Sequence, residues 1–207
     1  MGVDIGAGVG EKLLSYVAGA KRRLVVVSPW LSPACADLAV KKQEEGVDVT
    51  VVTSRSPENK THQEALARLV RKKRQRAHPG QWLALPPGTL LLLGGIYLAL
   101  TNSIVVGLVS AAVGAVLCWV GCRTKTHLCS TVGTLLVYMP SEPLLHAKLY
   151  VADDGVAVSS ANFTVSGIRH NLECVTFLQG QDIAEGVVRQ VGELVFDKAL
   201  VLKREDG

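Results

Sequence analysis

The 207-residue chain reads as an α/β fold, a mixed sheet flanked by helices, interrupted by a two-helix transmembrane hairpin. Short β-branched runs alternate with segments of helical spacing on both sides of the interruption, which is the pattern of an α/β layer structure. Between them, residues 77–122 contain no Asp, Glu, Lys or Arg, and the preceding RKKRQR at 71–76 is almost entirely basic. The expected division is therefore 1–76 and 123–207 as two halves of one domain, with 77–122 inserted between them. A chain of this length is enough for one domain with a real core.

In chain order, VDIGAGVGE at 3–11 invites a first test. Its glycines resemble a cofactor-binding loop, but such a loop follows a strand, and too little chain precedes Gly6 to supply one. A capping or flexible N-terminus is expected instead. EKLLSYVAGAKR then has helical spacing, and RLVVVSPW at 23–30 is a buried strand by its β-branched run. ACADLAVKKQEE is a helix ending at Gly46, a residue suited to the left-handed position past a helix C-terminus. VDVTVVTS at 47–54 is the next strand, and ENKTHQEALARLVRKKRQR a helix that turns basic as it nears the apolar insertion.

The insertion, PPGTLLLLGGIYLALTNSIVVGLVSAAVGAVLCWVGC, is divided by a polar TNS at 101–103. A membrane-spanning helix takes about 20 apolar residues, and each half offers rather fewer. Apolar character runs all round both halves, whereas a buried core hairpin would stripe one face, so two short spans are expected. The flanks look like halves of one sheet and must share one side of the bilayer, which requires an even number of crossings. Basic residues at both ends, with Arg123 and Lys125 following, place the soluble domain in the cytoplasm by the positive-inside tendency. Trp82 and Trp119 suit the interfaces of a locally thinned bilayer. The first twenty residues lack a continuous apolar core, so no signal peptide is expected.

Beyond the hairpin come GTLLVYM, a strand pair within LLHAKLYVADDGVAVSSANFT at 144–164, LECVTFL, and a final helix with Ile183, Val187, Val191 and Leu194 on one face. Cys118, Cys122, His127 and Cys129 are types that suit tetrahedral zinc, but their spacing is not a standard knuckle and Cys118 falls inside the apolar segment. Cys35 and Cys174 read as small apolar core residues, and a cytoplasmic domain keeps all five thiols reduced. No cofactor and no metal are expected.

The strand HAKLYVAD carries the chemistry. His146, Lys148 and Tyr150 share one face, with about 7 Å between His146 and Lys148 at roughly 3.3 Å per residue, a separation that suits one phosphate. Asp154-Gly155, preceded by Asp153, turns the chain as a hairpin. The returning VAVSSAN can bring Ser160 and Asn162 back toward the same pair.

His146, Lys148 and Asp153 fit the pattern H-x-K-x-x-x-x-D, and on these residues the chain resembles the phospholipase D superfamily. SSANFT resembles that family's G-S-x-N segment, with Ser159 in place of the glycine and a spacing to Asn162 one residue shorter. Glu173, eleven residues past Asn162, stands where the family has an acidic partner for the histidine. The likeness extends over the early strands and helix, and so covers nearly everything except the hairpin.

What the resemblance implies is phosphodiester chemistry. Lys148 and Asn162, with Ser160, would hold and neutralise the phosphate; His146 would attack phosphorus to give a phosphohistidine. Glu173 would orient His146. Asp153, at a turn, suggests a hydrogen-bonding role at least as much as a chemical one. A second histidine must protonate the leaving alcohol, and a single-motif chain supplies it as a homodimer in which two His146 meet across a two-fold axis. His170 is a weaker alternative for that acid, and its plain reading is a surface histidine like His62 and His78. The expected substrate is a phospholipid, the basic stretch at 71–76 favouring anionic headgroups. A membrane-tethered endonuclease acting on nucleic-acid phosphodiesters and a non-catalytic membrane scaffold are the other readings; a net charge of +4 is too modest to decide between them, and no aromatic stacking stripe for single strands is evident.

Overall fold

A computed structural model describes residues 2–76, 80–101, 103–139 and 143–205. In chain order it contains β1 (Val3–Gly6), α1 (Val9–Ala18), β2 (Arg23–Val27), α2 (Pro33–Glu44), β3 (Asp48–Ser54), α3 (Lys60–Leu69) and β4 (Val70–Arg76). The apolar helices α4 (Leu85–Thr101) and α5 (Ile104–Cys122) follow, then β5 (Thr124–Ser130) and β6 (Thr134–Tyr138). The chain ends with β7 (Leu149–Ala152), β8 (Gly155–Ser159), α6 (Val165–Arg169), β9 (Glu173–Gln179), α7 (Gln181–Val195) and β10 (Ala199–Lys203). Two compact units result, Met1–Arg71 with Leu128–Gly207, and Lys72–His127.

The first unit is built on one eight-stranded mixed sheet, ordered β1-β9-β8-β7-β2-β3-β6-β10. β2, β3 and β6 are mutually parallel, with Val26 opposite Val51 and Val51 opposite Leu135. The remaining pairings are antiparallel, including the β7–β8 hairpin, where Leu149 faces Val158. Because side chains alternate along a strand, each β-branched run feeds both faces. Leu24, Val26, Val49, Val51 and Tyr150 point to one cluster, beneath α1, α2 and α3. Val25, Val27, Val52 and Val151 point to the other, beneath α7. The two halves of the sequence thus complete one sheet across the insertion.

Several expectations change. The basic run is β4, not the end of a helix: α3 stops at Leu69, and residues 70–76 pair with β5 in a separate two-stranded ribbon. The compact insertion consequently spans Lys72–His127, wider than 77–122 because both ribbon strands enter it. The N-terminus is a strand after all, pairing antiparallel with β9 at the sheet edge, Ile5 opposite Cys174. Its glycines have structural work: Gly8 takes a φ of 87°, and a side chain on Gly10 would lie 2.2 Å from the Ile168 carbonyl oxygen. Hence the glycine-rich stretch lets α1 press on α6. On α7, Val187 and Val191 pack against the sheet, whereas Ile183 and Leu194 are exposed. His62 is fully buried rather than superficial, and His78 lies outside the described residues.

Within the second unit α4 and α5 run antiparallel with glycine at the seam. Added side chains on Gly95, Gly107 and Gly114 would meet Ala111, Ala99 and Leu92 backbone at 2.3–2.4 Å. Gly88 and Gly95, and Gly107, Gly114 and Gly121, each recur at seven residues, the spacing that keeps one seam facing a partner helix. The bulky side chains point away: Leu93, Ile96, Tyr97, Leu100, Val105 and Val109 are all exposed. This inverts the pattern of a water-soluble helix pair. α5 is long and apolar enough to cross a membrane, with only 17% of its apolar window buried, and α4, at 17 residues, is shorter. Arg123 stacks over the Trp119 ring at 4.6 Å, at the end where β4 and β5 attach.

Candidate active site

His146 and Lys148 lie just ahead of β7, which begins at Leu149, so the strand face on which both were expected is replaced by a short extended lead-in. Lys148 is still tied into the hairpin, because the Ser159 N–H donates to its carbonyl at 3.1 Å. Its side chain folds back. The ammonium lies 3.2 Å from both ring nitrogens of His146 and donates to the His146 carbonyl oxygen at 2.8 Å. His146 is exposed while Lys148 is only 8% exposed. Burial pulls the ammonium below the ordinary lysine value, and the charge of Glu173 offsets part of that.

Glu173 opens β9 beside the end of β8, where Ser159 pairs with Val175. Its carboxylate accepts from the Ser160 hydroxyl and, at 3.1 Å, from the Asn171 amide. Among the described residues Glu173 makes no hydrogen bond to the His146 ring, which was the contact expected of it, and its charge is felt at the Lys148 ammonium. Ser160 also receives the Cys174 N–H at 3.0 Å, which fixes the turn out of β8. Asn162 follows in that loop, and its Oδ1 is buried without a hydrogen-bond partner. A buried polar atom left unpaired is costly, and such groups are retained where a ligand engages them.

The structure does not bring Asp153 to this group. It sits at the far end of β7, in the left-handed region at φ 53°. Its carboxylate collects the backbone N–H groups of Lys21, Arg22 and Arg23 at 2.7–3.2 Å. Although burial pushes its carboxyl up, those donors together hold it below the usual range. Asp153 is thereby a clamp between the hairpin and the entry to β2. His170 is exposed on the residue after α6.

A supporting set was not visible in the motif. Tyr150 is fully buried, and its hydroxyl donates to the Ala161 carbonyl at 2.7 Å. Ser28 accepts from the Phe163 N–H at 2.9 Å, and Leu31 bridges Phe163 in parallel register. Leu31 is held in turn by buried His62, whose Nδ1 accepts its N–H at 3.1 Å while Nε2 bonds the Ser54 carbonyl at 2.8 Å. Asn162 is therefore gripped on both sides. The alternation of His146, Lys148 and Tyr150 was the only hint of this in the sequence.

A groove of about 570 Å³ borders His146, walled by Leu144, Leu145, Leu149, Val187, Val191 and Leu194. Among the described residues no group of three or more His, Cys, Asp or Glu side chains is arranged to hold a metal, Cys118, Cys122, His127 and Cys129 included.

Residues 117–195, which carry all the site residues, match the family model described as cardiolipin synthase, PLD-like domain. Among solved structures, the chain resembles Nuc, a phospholipase D family member from Salmonella typhimurium, with a TM-score of 0.54 and 15% identity over 98% of this chain and 99% of that one. It resembles NucT from Helicobacter pylori with a TM-score of 0.52 and 10% identity over 96% of each chain. No curated protein matches it in sequence. Residues 117–195 are thus similar to the PLD-like domain, and the chain shares the fold of these two solved structures.

Proposed function

We propose that this PLD-like domain is a membrane-anchored phosphodiesterase that hydrolyses or transfers phosphatidyl groups through a phosphohistidine. The observation that carries the reading is the exposed His146 ring against the buried Lys148 ammonium. A phosphodiester anion repels nucleophiles, so a cation and amide donors must first neutralise it. An entering phosphate competes for the Lys148 ammonium and frees a ring nitrogen of His146. That nitrogen bonds to phosphorus as the bond to the leaving alcohol breaks, and an acid delivers a proton to the departing oxygen. Water or an acceptor alcohol then loses its proton to the same group and attacks phosphorus, releasing His146.

The acid is assigned to His146 of a second copy, since the chain has one such motif and His170 sits outside the cluster. A homodimer with the site at its two-fold axis follows. The helix pair supports anchoring: its small residues are spent on the seam and its bulky apolar side chains face outward, as lipid requires. With the basic residues flanking the helix pair and no charged residue between the two helices, the catalytic unit lies on the cytoplasmic face as part of a two-pass protein. The apolar groove beside His146 favours a substrate with acyl chains over nucleic acid, which prefers cationic walls and aromatic platforms.

The test is purified full chain in detergent, offered labelled phospholipid or labelled single-stranded DNA, with His146→Ala as control. Lipid turnover lost in the variant supports the proposal. DNA cleavage lost in the variant replaces it with the endonuclease reading, and neither activity leaves a scaffold. Sedimentation of the active species reads the dimer, and a monomer with full activity would overturn the shared site.

A further inference from the structure

The two units differ in charge as sharply as in hydropathy. Lys72–His127 contains six Lys and Arg residues and no Asp or Glu. The remainder therefore holds 16 of the 22 basic residues against all 18 acidic ones, so a protein of +4 overall is +6 in the smaller unit and −2 in the larger. No carboxylate occurs anywhere between Glu64 and Glu142. The six cations are also localised, since Lys72, Lys73, Arg74 and Arg76 lie on β4, while Arg123 caps α5 and Lys125 is the second residue of β5. Lys72, Arg74, Arg123 and Lys125 are exposed.

Position within the unit gives this ribbon a partner. α4 leaves from its first strand and α5 returns to its second, so all six cations gather at one end of the antiparallel helix pair. Arg123 lies over Trp119 there, a ring of the kind that settles at headgroup depth with its cation toward phosphate. A strand pair rather than a helix suits the task. Its pleat sends alternate side chains to opposite faces, so that Lys72 and Arg74 share one face of β4 and Lys73 takes the other.

We propose that the β4–β5 ribbon is a headgroup-binding surface for anionic phospholipid, so that the chain gathers negatively charged lipid around its own anchor. The inference rests on the reading of α4 and α5 as that anchor. Nucleic acid is the competing polyanion, and the ribbon sequences VRKKRQR and TKTHLCS contain no Phe, Tyr or Trp on which bases stack. The apolar helices that continue from both strands fit a bilayer and have no counterpart in a nucleic-acid complex.

The experiment uses full-length protein reconstituted in phosphatidylcholine vesicles doped with dansyl-phosphatidylglycerol or dansyl-phosphatidylcholine, reading energy transfer from tryptophan. The expected result is an enrichment of the anionic probe of about fivefold, the factor that corresponds to about 1 kcal/mol for one basic residue at the surface. It should collapse at high salt and in Lys72→Gln/Arg74→Gln/Lys125→Gln, and persist in the charge-preserving Lys72→Arg/Lys125→Arg. Equal transfer to both probes overturns the ribbon proposal and leaves the anchor standing. Transfer to neither probe removes the anchor and the proposal with it. Displacement of the anionic probe by a single-stranded oligonucleotide assigns the ribbon to nucleic acid instead. Should the glutamine variant fail to reconstitute, the salt response of the unaltered chain decides.

Discussion

The ammonium of Lys148 stands 3.2 Å from both ring nitrogens of His146, and burial makes that ammonium easier to discharge than an ordinary lysine. The sign for activity follows directly. A lysine whose value is depressed in the folded protein loses its charge at lower pH than the usual value of about 10.4, and in the proposed mechanism phosphate neutralisation goes with it. We expect kcat/KM to fall on the alkaline side below that value. Lys148→Arg, whose guanidinium does not discharge, should move this limb upward at reduced overall rate, and Lys148→Met should remove turnover. A pH–rate profile of the three forms checks this.

Asp153 separates structure from chemistry within the motif. Removing its carboxylate hands three backbone N–H donors, of which only that of Arg23 is part-buried, to water, so Asp153→Ala should lower stability by about 1 kcal/mol. Because its folded value is depressed, the stabilisation is complete above the unfolded carboxyl value of about 3.9 and is lost as pH falls through the lower folded one. Per folded molecule, the rate should be unchanged. Thermal unfolding alongside an active-site titration tests both halves, and a catalytic defect without a stability loss would contradict the clamp.

His62 predicts a second pH response. Burial holds its imidazole below the ordinary value, and its Nδ1 is needed as an acceptor for Leu31. Its contribution to stability is therefore full above about pH 6.5 and declines as pH falls below that. Melting temperature should drop between pH 7 and 5 in the natural chain, and His62→Gln should flatten the profile. Since Leu31 bridges Phe163, next to Asn162, KM should rise over the same interval.

The glycine seam offers a paired test. Gly107→Ala places a methyl 2.3 Å from Ala99 backbone and should cost about 1–3 kcal/mol as the helices part. Gly94→Ala meets nothing within 4 Å and should be neutral or stabilise α4 by about 0.5–1 kcal/mol. Disulfide cross-linking across the pair, or resistance to heat in detergent, distinguishes them.

Much of this was legible beforehand for an identifiable reason. The β-branched runs at Leu24–Val27 and Val49–Val52 are buried on both faces, so local composition reports their class without help from distant neighbours. The His146–Lys148 pair and Asn162 are similarly local to one hairpin. β4 was not legible, because its partner β5 lies beyond both apolar helices and cationic side chains carry no β signal of their own. The start of β7 at Leu149 was missed because the lead-in before it has the same extended pattern. The grip on Asn162 was hidden for another reason: Ser28, Leu31 and His62 reach it across more than a hundred residues of chain, and nothing nearby in sequence marks them.

Thr50 pairs with Thr134, 84 positions later, so the parallel β3–β6 ladder closes a loop that contains every residue of the helix pair. During synthesis the N-terminal strands must therefore wait, incomplete at one edge, until the ribosome has finished α4 and α5. Synthesis of that loop comes first in time and closure of the sheet second, which makes this order a property of the topology rather than of any separate signal.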